Sequence, residues 1–156
     1  MINDKPIPDI HIEKMQKKDL KWVMEIEEDV FPDPWHLSFF KRQLHPRKKH
    51  MHLYIARLAE KVIGYVVFYL SFGEAHIMNI AVAKEYRRRG VAKYLIDYAF
   101  EIIQTDGAEV VFLEVSVNNS AALHLYKQFG FEVFGQRKRY YSDGSDAYVL
   151  RKHMQE

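Results

Sequence analysis

The chain has no cysteine. Disulfides, thiolate metal sites and cysteine nucleophiles are therefore excluded, and the composition suits a reducing compartment. No stretch approaches the ~20 consecutive apolar residues that a membrane-spanning helix needs. The opening MINDKPIPDI lacks the basic and apolar regions of a signal peptide. The expectation is a cytoplasmic protein without a membrane partner. An excess of one charge is also missing: 23 Lys and Arg against 21 Asp and Glu leave +2. That is too little for a general polyanion binder, so no nucleic acid is required, and the basic cluster PRKKH (Pro46 to His50) reads as a solvated loop. The eight histidines lack ligand spacing such as H-E-x-x-H, and no metal is expected. G-x-x-x-x-G-K is absent too, which excludes a nucleoside triphosphate P-loop.

What is present is an ordinary globular composition, 156 residues with 48% apolar and 28% charged side chains. A single domain over residues 1–156 is expected, with residues 1–9 as a flexible leader. DIHIEKM alternates like a strand, and Asp19 then reads as the cap of a helix with Leu20, Val23, Ile26 and Val30 on its inner side. Two prolines in VFPDPW stop that helix before a short one over HLSFFKRQL. HLYIARLA and VIGYVVFYL read as a hairpin joined by Glu60 and Lys61, with AHIMNIAV as the next strand of an antiparallel meander. From Gly90, the residues Val91, Leu95, Ala99 and Ile102 recur at helical spacing until Asp106 and Gly107. EVVFLEVSV is a buried-looking strand, a helix capped within Asn118 to Ser120 follows, and FEVFG and AYVL close the chain. The order β-α-α-β-β-β-α-β-α-β-β predicts an α/β fold of the mixed α+β kind, a central mixed sheet with helices on both faces. The passage from Ala75 to Val117 predicts two parallel, adjacent strands joined by a helix.

One passage breaks a local rule. In EYRRRGVAKYL, Arg87, Arg88 and Arg89 run into Gly90 at an expected helix N-terminus, where cations are unfavourable by ~0.3–1 kcal/mol each. An anion bound at the helix N–H groups reverses that cost; Gly90 permits close backbone approach and the small Ala92 keeps the next turn open. A pyrophosphate fits the space. A solvated basic run with a turn glycine accounts for the same letters, and the segment alone leaves both open. Glu114 stands out differently: alternation sets it on one strand face with Val110 and Phe112, where a carboxylate has no packing reason to be. Burial there is expected to raise its pKa, the competing account being an ion pair at a strand end. Taken alone, His76 on the preceding strand reads as a packed residue, Tyr126 as part of an apolar helix face, and Asn119 as a helix N-cap.

Together, IAV, EYRRRGVAKYL, LEV, NNSAALHLYKQFGF and YYSDGSDAYVL occur in an order that resembles the GNAT superfamily of acetyl-CoA-dependent N-acetyltransferases. Arg87 to Ala92 match its pyrophosphate pattern (Q/R)-x-x-G-x-(G/A). NIAV, ALHLYKQFGF and above all the tail RYYSDGSDAYVL look like the N-terminal α-amine acetyltransferases, the bacterial RimI type and its archaeal Ard-type relatives; small-molecule acetyltransferases usually lack that tail. The resemblance implies acetyl-CoA as cosubstrate and CoA as product. It implies Arg87, Arg88, Arg89, Gly90, Val91, Ala92 and Lys93 around the phosphates, Asn119 and Tyr126 on the cofactor, and the backbone of Ile80, Ala81 and Val82 along the pantetheine arm. It also implies direct transfer to protein or peptide N-termini, such as those of ribosomal proteins or nascent chains, without a covalent enzyme intermediate.

Such a transfer needs a neutral amine, and an α-amino group with pKa ~7.7–8.0 asks less of a base than a lysine at ~10.4. Glu114 and His76 are the implied bases, and Tyr126 the acid that returns a proton to the departing thiolate. Phe31, Asp33, Tyr140 and Tyr141, from VFPDPW and KRYYSDG, are implied on the peptide side. Asp33 stands where archaeal relatives carry a glutamate that influences the accepted first residue. Lysine side chains or a small amine as acceptor, and a non-catalytic CoA-binding module, are the alternatives. An auxiliary subunit and the oligomeric state are left open.

Overall fold

The computed structural model describes residue 7 and residues 9–154. Its elements are β1 (His11–Lys14), α1 (Leu20–Val30), α2 (Leu37–Gln43), β2 (Met51–Leu58), β3 (Lys61–Ser71), β4 (Glu74–Val82), α3 (Val91–Asp106), β5 (Val110–Ser116), α4 (Ser120–Gln128), β6 (Glu132–Arg137) and β7 (Ala147–His153). Residues 1–6 and 8 of the expected leader lie outside the described residues, while Ile7 is 4% exposed and packs into the core.

The strands form one mixed sheet in the order β1-β2-β3-β4-β5-β7-β6. β4 and β5 are the parallel pair, as the connection through α3 predicts. Along β3, Val66 and Phe68 face one way and Tyr65 and Val67 the other; a bulge against β2, which leaves Ile63 unpaired between Val62 and Gly64, shifts the alternation so that Ile63 joins the first cluster and Val62 the second. α3 covers the first face through Leu95, Ile96, Ala99 and Ile103, and Tyr126 of α4 joins the same cluster. α1 and α2 cover the second through Leu20, Val23, Ile26 and Phe40. Each of the larger apolar side chains contributes about 1.5–3 kcal/mol on burial, so the α3 stripe alone fixes the helix, and hence its N-terminus, against the sheet. Close packing also depends on Gly64: a Cβ there would lie 2.9 Å from the Ala81 carbonyl oxygen, so only a glycine lets β3 approach β4 as it does.

Two local readings change. Asp19 precedes α1, but its side chain makes no cap bond. Instead Oδ1 accepts from Arg57 Nη2 at 2.6 Å and Oδ2 from the Gln16 N–H at 2.8 Å. A fully buried carboxylate is better compensated by a guanidinium than by a helix N–H, and this pair wins. In the β2–β3 hairpin the turn falls on Ala59 and Glu60, with Ala59 at φ 54°, because Lys61 already belongs to β3.

Candidate active site

β4 and β5 pair only from Glu74–Val110 to His76–Phe112. Beyond that point they part. A register shift against β3, where Phe68 faces Ile77 and Val67 faces Asn79, leaves Met78 as an extra residue and bends β4 at the divergence. The cleft between the strands has a volume of about 560 Å³, in the range of small-ligand sites. Ile80, Ala81 and Val82 line it; one edge of their backbone pairs with Val66, Tyr65 and Gly64 of β3, and the other faces the opening.

At the far end of β4 the chain turns into α3. Arg88 has φ 64° and Gly90 φ 83°, and Gly90 precedes the helix with no side chain capping it. The first N–H groups of α3 have no intrahelical acceptor and carry the positive end of the helix dipole. Arg87, Arg88, Gly90, Val91, Ala92 and Lys93 all line the cleft; Arg89, half-buried, does not. From the opposite wall Asn119 and Tyr126 reach it. Asn119 Oδ1 accepts from the Ala122 N–H at 3.1 Å, so the cap reading holds and the same residue also borders the cleft. Tyr126 packs edge-on to Phe131 with ring centroids 5.8 Å apart. Burial pushes its phenol well above the ordinary tyrosine value.

His76 and Glu114 meet where the strands part. His76 faces Phe112 in register, and Glu114 lies two residues on, over the same face of the sheet. His76 Nε2 is 2.6 Å from Glu114 Oε2, and Arg137 Nε is 3.4 Å from Oε1. A carboxylate there accepts, so Nε2 carries a proton; in the neutral ring Nδ1 is then an acceptor, and in the charged ring the contact is an ion pair. The Glu114 side chain is only 11% exposed. Burial does push its pKa up, as expected, but the His76 hydrogen bond and the charges of His76 and Arg137 outweigh burial, and the net direction is down. The Glu114 carboxylate is thus held ionised by its partners.

Two loops rise beside this pair. Phe31 and Pro32 of the α1–α2 loop and Tyr141 of the β6–β7 loop line the cleft, whereas Asp33, Tyr140 and His76 lie outside its wall. Tyr140 and Tyr141 stack edge to face at 5.0 Å. Burial, then the neighbouring Tyr140, Glu114 and acidic groups, pushes the Tyr141 phenol up to about 12. The Asp33 carboxylate accepts from both the N–H (2.9 Å) and the hydroxyl of Ser142, linking the loops.

Glu27, Arg137 and Ser142 are functional candidates that the sequence alone does not single out. Glu27 is 1% exposed. It accepts from Tyr65 Oη at 2.5 Å, Asn79 Nδ2 at 2.6 Å and the Trp35 N–H at 2.9 Å, tying α1, β3, β4 and the loop after α1 together. Burial raises its pKa despite these three donors. A signal existed: Glu27 lies seven residues after Leu20 and four after Val23, on the apolar stripe of α1, the same oddity that marks Glu114. Arg137 and Ser142 sit in a polar run that offers no such contrast. Among the described residues no group of three or more His, Asp or Glu is gathered for a metal, and no helix is long and apolar enough to cross a membrane.

The profile of the Acetyltransferase (GNAT) family matches residues 20–131. The N-alpha-acetyltransferase RimI of Mycobacterium tuberculosis is 33% identical over 151 residues, covering 92% of each chain. An N-alpha-acetyltransferase of Saccharolobus solfataricus is 27% identical over 157 residues, 92% of this chain and 93% of that one. Among solved structures, the ribosomal-protein-S18-alanine N-acetyltransferase of Escherichia coli superposes with a TM-score of 0.85 at 25% identity, over 94% of this chain and 95% of that one.

Proposed function

Since the chain belongs to the GNAT acetyltransferase family, we propose that it moves the acetyl group of acetyl-CoA to the free α-amine at the N-terminus of a protein. The observation that carries this reading is the His76–Glu114 pair, set where β4 and β5 separate and beside two aromatic loops. Its named relatives act on the same kind of acceptor.

The residues present fit acetyl-CoA. The uncapped α3 N-terminus, the left-handed Arg88 and Gly90, and the cations of Arg87, Arg88 and Lys93 on the cleft wall suit a pyrophosphate. Arg89 adds charge from behind that wall. The unpaired edge of β4 at Ile80, Ala81 and Val82 suits an amide-bearing arm that pairs as a strand does, and an N–H there can stabilise an oxyanion. Asn119 lines the same cleft and would border that arm. When bound, the thioester supplies an activated acyl carbon with a thiolate leaving group.

Proton handling falls to the chain itself. Glu114 holds His76 in the Nε2–H form, and His76 Nδ1 takes the proton that the attacking amine must lose. As the C–N bond forms and the C–S bond breaks, Tyr126 donates a hydrogen bond to the departing sulfur. Complete transfer from so buried a phenol to the anion of a thiol with pKa ~8.5 would run uphill. Phe31, Tyr140 and Tyr141, with Asp33 at the loop tip, form the acceptor side. The site is proposed to work in the cytoplasm, on ribosomal proteins or nascent chains.

The test is mass spectrometry with acetyl-CoA and two peptides, one with a free N-terminus and no lysine, the other N-blocked with an internal lysine. Acetylation of the first alone is expected. Acetylation of the second alone transfers the assignment to lysine side chains; neither, with CoA still bound, leaves a small-amine enzyme or a CoA-binding module.

A further inference from the structure

We propose that Asp33 and Ser142 form a strap across the acceptor entrance, and that Asp33 is a positioning residue for the Tyr140–Tyr141 pair rather than the reader of the acceptor's first side chain. The proposal rests on the peptide reading of this site. Both oxygens of the Asp33 carboxylate are engaged by one residue: Oδ2 accepts from the Ser142 N–H at 2.9 Å, and Oδ1 from the Ser142 hydroxyl. A carboxylate in that bidentate arrangement commits one lone pair of each oxygen to the neighbouring loop, and Asp33 lies outside the cleft wall.

Each foot of the strap is braced independently. Trp35, two residues beyond Asp33, donates its N–H to the buried Glu27 at 2.9 Å. On the other side Asp146 accepts from the Arg139 N–H at 2.9 Å and from Gln136 Nε2 at 2.7 Å. Within the same loop the Tyr141 N–H donates to the Ser145 carbonyl at 3.2 Å, and the Gly144 N–H to the Tyr141 carbonyl at 2.9 Å. Joining two loops already shaped in this way costs little further conformational entropy, so even hydrogen bonds exposed to water can hold them. Phe31 and Pro32 immediately precede Asp33, Tyr141 immediately precedes Ser142, and all three line the cleft. The strap therefore sets the spacing between its aromatic walls. Its solvent exposure keeps the link weak enough to open as a chain end enters.

Two readouts decide the matter. In amide hydrogen exchange without substrate, Ser142 should exchange about threefold to tenfold faster in Asp33→Ala than in the wild type, the range expected for losing solvent-exposed charge-assisted bonds. In kinetics over free-N-terminus peptides that differ in their first residue, Asp33→Ala and Ser142→Ala should each raise peptide KM by a similar about threefold to tenfold. Turnover at saturation should change much less, the ranking of first residues should persist, and the double variant should be no worse than either single one. Asp33→Asn, which keeps one acceptor oxygen, should fall between. Equal Ser142 exchange in wild type and Asp33→Ala overturns the strap. So does a reordering of first-residue preference in Asp33→Ala that Ser142→Ala lacks, since it makes Asp33 the reader. Should the wild type acetylate no peptide, the functional reading fails by itself, and the exchange measurement still decides the strap.

Discussion

The two ends of β4 are built on different plans. At the α3 end, the cleft wall comes from one short run, Ile80 to Lys93, and much of it is backbone: a free strand edge, two left-handed residues and an uncapped helix. At the His76 end, side chains converge from distant parts of the chain, His76 meeting Glu114, Glu114 meeting Arg137, and Asp33 meeting Ser142. The first plan suits a constant ligand, because backbone groups carry no residue identity to vary. The second suits an acceptor that varies, because each contributing loop can change separately while the sheet stays as it is.

The sharpest way to test that contrast is to disable the side-chain end alone. Replacing Glu114 by Gln and His76 by Ala together removes the proposed proton acceptor and the group proposed to orient it, and kcat on a free-N-terminus peptide should fall about 10²–10⁴-fold. The dissociation constant for CoA, measured by calorimetry, should stay within about twofold, since neither residue adjoins the cationic end. Full turnover in the double variant would sink the proposed mechanism. A matching loss of CoA affinity would show that the two ends are not separable.

Glu27 lies under the middle of β4 and serves both ends through Asn79 and Trp35. Glu27→Ala would strand two buried donors and one partly buried one and should cost about 2–4 kcal/mol, a drop in Tm of about 5–12 °C for a chain of this size. The effect also has a pH signature. Burial holds the Glu27 carboxyl above its ordinary 4.5, so the native state binds this proton more tightly than the unfolded chain does. Its stabilising effect is full below 4.5 and is lost as pH rises through the raised value. Glu27→Gln, which has no proton to release, should therefore gain on the wild type between mildly acid and neutral pH in thermal unfolding. A constant difference between the two would mean that Glu27 titrates normally.

The same contrast explains what the sequence made legible. Strand alternation, the helical spacing after Gly90 and the parallel connection from Ala75 to Val117 are local or nearly local patterns, and the architecture followed from them. Glu114 was visible as a carboxylate among apolar neighbours. Its low pKa was not, because Arg137 comes from β6 and no local pattern announces that β7 inserts between β5 and β6 to bring that hairpin round. The Asp33–Ser142 link spans the chain from one loop to another, and both residues have polar neighbours that hide them. Asp19 shows the reverse failure: its cap reading was locally sound, and a long-range Arg57 took the carboxylate instead.

A smaller effect tests the backbone end. At Gly90 the space is open, a Cβ meeting nothing nearer than Tyr94 at 4.0 Å, so crowding is not the constraint. The constraint is φ 83°, which a β-branched residue adopts only at a cost of about 1–3 kcal/mol. Gly90→Val should relieve that strain by turning the first N–H groups of α3 away from the cleft, raising the acetyl-CoA KM about tenfold while kcat at saturation stays within about twofold. Arg88 gives the control, because it holds φ 64° without being glycine. Arg88→Gly loses a cation but relaxes the turn, so its penalty should be smaller than that of Gly90→Val and should shrink further at high salt, whereas the Gly90→Val penalty, being conformational, should not. Equal salt dependence in the two variants would mean that charge, and not backbone shape, builds this end of the cleft.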